Sequence, residues 1–196
     1  MQAPYNLPIL DRCRSASAAG VPGLRGIMDL HRGLDITSAD RETLFRPDPA
    51  RPYGRRVLLA NDVLEVMVAT WTRGTPCAPH DHGGAAGAVQ VLQGRSRHRV
   101  WKIQNGVLVQ VAEEVVEAGG LMACGADVIH SMGDDGADEQ LMTLHLYNPG
   151  IDFMVVYDQS MDRTLVVDGD CGAWVPEPDR VRRTSPGVVP RAVVVG

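Results

Sequence analysis

His80 and His82 are separated by one residue in the segment from Trp71 to Gly94, and further histidines stand at 130 and 145. In an extended strand, residues i and i+2 share a face, so both imidazoles can enter one cavity. The run Gly83-Gly84-Ala85-Ala86-Gly87 behind them keeps side-chain bulk low, which suits a metal open to small ligands. His130, 48 positions beyond His82, can bring a third imidazole from another strand. Three imidazoles on one side of a metal leave positions free for chemistry, as in a catalytic centre rather than a closed structural one. These residues point to a mononuclear metal enzyme.

The elements that must position them change character along the chain. Leu24, Ile27, Met28, Leu30 and Leu34 recur at roughly helical spacing, and Ser38 with Asp40 and Glu42 reads as the acidic first turn of another helix. Pro47, Pro49 and Pro52 punctuate a linker. Beyond Arg56 the pattern is one of short strands: Val57–Ala60, Val63–Trp71, Ala88–Leu92, His98–Ile103, Val107–Val116, Leu121–Cys124, Gln140–Tyr147, Phe153–Tyr157 and Thr164–Val167. Turn signals separate them, and Asn105-Gly106 between two such runs marks a hairpin. Many short strands with regular turns predict an all-β barrel or sandwich, with N-terminal helices packed outside. The chain is expected to be one domain over 1–196, with a helical layer over 1–50, the β part with the site over 53–170, and an irregular tail over 176–196.

A net charge of −5 argues against a nucleic-acid or anionic-membrane partner, since phosphate binding draws on basic patches. Apolar runs such as Val66 to Ala69 are too short to span a bilayer. The first residues show no basic region followed by a long apolar stretch, and Cys13, Cys77, Cys124 and Cys171 are widely spaced. Both features lead to the expectation of a reducing, cytoplasmic setting.

The stretch from Gly74 to Gly94 resembles the first motif of the cupin superfamily, with Gly74 six residues before His80 and Gly94 closing the hairpin. The glutamate usual in that motif is absent, and Gly87 stands at its spacing. The second motif is looser: Gly119 and Gly125-Ala126-Asp127-Val128-Ile129-His130 keep the first glycine and the histidine. The resemblance implies a cupin-type β-barrel, the double-stranded β-helix or jelly roll. A metal on three neutral imidazoles keeps its full charge, favours an anionic group such as a thiolate, and departs from the two-histidine, one-carboxylate pattern.

From about Tyr53 to Asp158 the chain resembles the thiol dioxygenases, and within them the cysteine dioxygenase type I family. Tyr53-Gly54-Arg55 looks like its Tyr-x-Arg, and His145-Leu146-Tyr147-Asn148-Pro149 like its His-Leu-Tyr-x-Pro. Thr143 stands where the family commonly has serine. Residues 143, 145 and 147 share one strand face, and Met142, Leu144 and Leu146 take the other. The resemblance implies iron, Fe(II), on His80, His82 and His130, and Arg55 (beside Tyr53) gripping the substrate carboxylate. It further implies Tyr147 oriented through His145 and Thr143, and transfer of both atoms of dioxygen to the sulfur of cysteine to give cysteine sulfinate. Animal members cross-link a cysteine to this tyrosine; Gly87 occupies that position, so no cross-link can form there.

The partners expected are a small thiol and O2, with no nucleic acid and no membrane, acting on a monomer or weak homo-oligomer. The rival readings are a dioxygenase of 3-mercaptopropionate or another mercapto-acid, and a non-catalytic cupin that holds a metal or ligand. Zinc fits the same three histidines. His31 and His98 have no partner by spacing and read as surface or packing residues. Asp81 is expected to turn away from the metal, Cys77 to be a packed thiol, and Tyr5, Trp101, Tyr157 and Trp174 to pack.

Overall fold

The computed structural model describes residues 7–21, 23–176 and 178–195, so Tyr5 lies outside the described residues. Three helices come first, α1 (Pro8–Ala19), α2 (Gly23–Arg32) and α3 (Ser38–Leu44). Proline at the start of α1 fits a position whose N–H has no helical partner. Thr37 caps α3: its Oγ1 accepts from Asp40 N at 3.2 Å, and its own amide donates to the Asp40 carboxylate at 3.0 Å.

Twelve strands follow among the described residues. They are β1 (Tyr53–Ala60), β2 (Glu65–Trp71), β3 (His80–Asp81), β4 (Ala86–Gln93), β5 (Arg95–Gln104), β6 (Val107–Glu117), β7 (Leu121–Cys124), β8 (Ile129–Asp134), β9 (Met142–Asn148), β10 (Phe153–Asp158), β11 (Arg163–Asp168) and β12 (Val181–Pro186). A last short helix, α4, covers Arg191–Val194. The strands form two antiparallel sheets, of order β1-β2-β9-β4-β7 and β12-β11-β10-β3-β8-β5-β6. This is the all-β, two-layer architecture the turn spacing predicts, with the long helices outside.

Three differences matter. β3 has two residues and β8 runs through a glycine at 133, so neither shows the alternation by which strands are read. The tail expected to be irregular contains β12, paired along β11 from Arg163↔Pro186 to Val167↔Val181. Its arginine-rich composition hides a strand that covers the apolar edge formed by the buried Leu165, Val166 and Val167. Arg182 holds it there, with Nε 2.6 Å from Asp168 and Nη1 3.0 Å from Asp152.

The five-stranded sheet has two covered faces, which explains why β2 and β9 are buried almost throughout. Met142, Leu144 and Leu146 of β9 pack with Val66 and Val68 beneath Leu10, Ile27 and Leu44 of the helices. The opposite face, with Met67, Ala69, Trp71 and Tyr147, looks across to Met132, Met154 and Val156 of the other sheet. His31 is not a surface residue. It is buried where α2 meets β4, and its Nε2 donates to the Ala88 carbonyl at 2.9 Å.

Leu144 is fully buried on the face turned from the histidines, so stability and site can be separated there. Leu144→Ala should lower the unfolding free energy by about 2–5 kcal/mol, read from denaturant midpoints, and leave metal uptake unchanged. A loss of metal uptake in a folded Leu144→Ala protein would show that the two faces are not independent.

Candidate active site

β3 is short, yet it places the cluster. His80 faces His130 of β8 in direct register, and His82 follows one residue beyond the strand. The ring centroids of the three lie 4.5–5.0 Å apart, and one ring nitrogen from each falls within 4.8 Å of the others. His80, His82 and His130 are all buried.

The hydrogen bonds decide which nitrogens face inward. His80 Nδ1 lies 2.9 Å from the Ala78 carbonyl, an acceptor, so it carries the proton and Nε2 is left with a lone pair. The Nε2 atoms of His82 and His130 stand 3.2 Å apart, and His82 Nδ1 has no partner. Imidazole nitrogens at about 2.1 Å from one ion are separated by roughly 3–3.4 Å, so the spacing fits joint ligation of a divalent metal. Without a metal the pair can keep apart from lone-pair repulsion only by sharing a proton. These three residues fit a metal of the kind that imidazole binds.

A second set of groups comes from the inner face of β9. The indole N–H of Trp71 donates to Thr143 Oγ1 at 2.8 Å, and Thr143 Oγ1 lies 2.7 Å from His145 Nε2. His145 Nδ1 is 2.9 Å from the Tyr147 hydroxyl. Indole can only donate, and among the described contacts His145 Nε2 is the one acceptor for the buried Thr143 proton, which sets the direction of the chain. Thr143 donates to His145 Nε2, His145 Nδ1–H donates to Tyr147, and the Tyr147 proton is left for the cavity. Burial lowers His145 to about 3, which keeps the ring neutral and the chain intact. The sequence alternation finds residues 143, 145 and 147 but not Trp71, 72 positions from Thr143 in the chain.

Arg55 reaches across the inner face of β2. Its Nε lies 3.1 Å from Met67 Sδ, one Nη donates to the Asp170 carbonyl at 3.2 Å, and the other pairs with buried Glu65. Three of its five N–H groups are therefore engaged and two remain. Arg56 points the other way and donates to the Thr43 carbonyl at 3.1 Å. Glu65 is absent from the sequence reading because an acidic residue opening a strand looks like a surface residue. In the structure it stands opposite Tyr147 and also accepts from Ile151 N at 3.2 Å. The Tyr53 ring packs on Trp71 and Trp174 at 4.6 and 5.2 Å, and its hydroxyl accepts from Ala173 N at 2.9 Å.

Arg55, Tyr53, Tyr147 and the three histidines line one cavity, of about 20 Å3. His98 is buried, which is the packing alternative, but it has a partner that its spacing does not show: its Nε2 lies 3.0 Å from His130 Nδ1. Asp81 turns away, accepting from Gly83 N at 2.9 Å. Cys77 is a packed thiol whose sulfur accepts from Met132 N at 3.2 Å, and burial pushes it up to about 12.

A sequence profile of cysteine dioxygenase type I matches residues 27–160. The chain belongs to the cysteine dioxygenase type I family. It is thus a thiol dioxygenase-type cupin, an enzyme of the non-haem metal oxygenase kind. Solved structures give weaker likenesses. An uncharacterised double-stranded β-helix protein from Klebsiella pneumoniae is 19% identical over 60% of this chain and 94% of its own, with a TM-score of 0.48. An oxalate oxidase is 16% identical over 66% of this chain and 68% of its own, with a TM-score of 0.48. An RmlC-like cupin from Shewanella frigidimarina is 18% identical over 55% and 86%, with a TM-score of 0.42.

This cysteine dioxygenase family member has no room beside its tyrosine for a side chain at 87. Gly87 pairs with Tyr147, and a Cβ there would lie 2.5 Å from the tyrosine ring.

Burial depresses five histidines: His31 and His80 to about 4, His145 to about 3, and His82 and His130 well below the usual value. Histidines of the unfolded chain take up protons near 6.5, so between about pH 6.5 and 4 the unfolded state binds more protons than the folded one. Stability should therefore fall as pH falls, by about 1.4 kcal/mol per pH unit for each histidine titrating. Asp81, raised to about 6 by burial, opposes this as a single group. Denaturant unfolding of metal-free protein from pH 7.5 to 5 should show uptake of several protons. A flat profile would contradict the neutral, buried histidines.

Proposed function

We propose that the protein is an iron(II)-dependent dioxygenase that converts L-cysteine and O2 into cysteine sulfinate. The observation that carries this is the meeting of three imidazoles, a guanidinium and a relay-fed tyrosine hydroxyl in one small cavity. His80, His82 and His130 would hold the iron, and iron(II) would supply the redox chemistry that lets O2 react with a thiolate. The overall change balances without another reductant: a thiol and O2 become a sulfinic acid.

The chain's own residues bind and orient. Arg55 offers its two remaining N–H groups to the substrate carboxylate, a planar charge-assisted contact. Glu65 holds that guanidinium in place and offsets part of its charge. Tyr147 points its proton at the carboxylate or at oxygen, and Tyr53 walls the same space. Together these fix the sulfur relative to oxygen, an effect of proximity. Arg55, where relatives preferring 3-mercaptopropionate tend to have glutamine, supports cysteine. The tyrosine relay counts against a passive metal holder, which has no use for a directed hydroxyl. The same reading takes the chain as one domain working in the cytoplasm, as a monomer or weak homo-oligomer. All four cysteines are free and buried, and no helix among the described residues is long and apolar enough to cross a membrane.

Anaerobic reconstitution with iron(II), followed by oxygen uptake with cysteine, 3-mercaptopropionate and cysteamine, tests this. We expect one O2 per cysteine, a sulfinate product and the highest kcat/KM for cysteine. Metal uptake without oxygen consumption would leave only the passive cupin. Arg55→Ala alone strands Glu65 as a buried unpaired carboxylate, so Arg55→Ala with Glu65→Gln is the cleaner variant. It should lose on the order of tenfold to a hundredfold in kcat/KM for cysteine and little for cysteamine. Equal losses would mean that Arg55 serves the fold or the metal instead of the carboxylate.

A further inference from the structure

We infer that His98 and Glu114 are positioning residues that fix the tautomer and aim of His130, forming a carboxylate–imidazole–imidazole line from the protein surface to the proposed metal. The inference rests on the reading of His80, His82 and His130 as a metal site.

Three adjacent strands build the line. His98 on β5 stands directly opposite Glu114 on β6, and its Nδ1 lies 3.1 Å from Glu114 Oε1. On the other side, Val100 of β5 is the register partner of His130 on β8, which makes His98 its diagonal neighbour on the same face. His98 Nε2 then reaches His130 Nδ1 at 3.0 Å. His98 and His130 are buried, whereas the Glu114 side chain is 61% exposed.

The donors and acceptors leave one consistent order. A carboxylate only accepts, so His98 Nδ1 carries a proton toward Glu114. A neutral His98 then presents a lone pair at Nε2, and His130 Nδ1 must be the donor. His130 Nε2 is left bare, and it is the atom 3.2 Å from His82 Nε2. His80 reaches the same state through the Ala78 carbonyl, but His130 does so through two side chains that can be changed by mutation. Outer partners of this kind hold ring orientation and raise ligand basicity.

One other group competes for His130 Nδ1. Cys124 Sγ lies 3.5 Å away, and His98, Cys124 and His130 also form a set of donors within 4.8 Å of one another. Sulfur is a weak acceptor, and burial pushes the Cys124 thiol up to about 12. The imidazole nitrogen at 3.0 Å is the better partner.

Titration of the metal-free protein with cobalt(II), followed by its visible spectrum, tests the inference without turnover. His98→Leu removes the acceptor and should weaken cobalt affinity roughly tenfold to a hundredfold. His98→Gln can return an amide oxygen near the old Nε2 position and should recover most of that loss. Glu114→Ala should cost less than His98→Leu, because His98 remains. Unfolding midpoints of the metal-free variants are measured in parallel. If they follow stability while affinity does not change, or if His98→Gln binds no better than His98→Leu, the positioning role is overturned. Two cobalt ions per chain with a thiolate-to-cobalt charge-transfer band would also overturn it, in favour of a second site at Cys124. His80→Ala separates the two readings. If it keeps full cobalt affinity, the metal site itself is wrong. If it loses cobalt while His98→Leu does not, only the relay fails.

Discussion

Everything at this site depends on keeping three buried imidazoles neutral with the same nitrogen, Nε2, turned inward. Removal from water favours the neutral rings, but neutrality alone leaves each ring free to place its proton on either nitrogen. The structure removes that freedom from outside, by the Ala78 carbonyl behind His80 and by the His98–Glu114 line behind His130. His82, with an unpartnered Nδ1, is the ring left to adapt. A cation held by His80, His82 and His130 would replace the repulsion between facing Nε2 lone pairs with attraction.

The same logic organises β9. One face is apolar and tied to the helices by Met142, Leu144 and Leu146, which makes the strand a rigid support. The other carries a one-way chain of hydrogen bonds from Trp71 to Tyr147. A hydroxyl whose acceptor side is occupied has its proton available for a ligand. Arg55 is immobilised in a comparable way, by Glu65, Met67 and the Asp170 carbonyl, so little order has to be created when a substrate binds.

Much of this is legible in the chain. The spacing of His80 and His82, the alternation over 142–147 and the Asn105-Gly106 turn lead directly to two histidines in one cavity, the two faces of β9 and the β5–β6 hairpin. What is not legible depends on register. Counted outward from the Asn105-Gly106 turn, His98 would face Glu113. A bulge at Val111 shifts the upper half of the hairpin by one residue, so that His98 faces Glu114 and Glu113 pairs with Arg97 and Arg99. No local pattern announces that extra residue. Glu65 and Trp71 escaped for a related reason, since their roles come from Arg55 and Thr143 on neighbouring strands. β12 was hidden by composition, because its arginines look like a solvated tail until the aspartates of β10–β11 are placed beside them.

The central claim is that a metal on three imidazoles receives the substrate thiolate in this cavity. X-ray absorption at the iron edge of the reconstituted protein, measured anaerobically before and after cysteine is added, addresses it most directly. We expect three imidazoles and no protein sulfur around the resting iron, and a new iron–sulfur distance once cysteine is present. An unchanged shell on adding cysteine, or protein sulfur bound to iron before it is added, would contradict it.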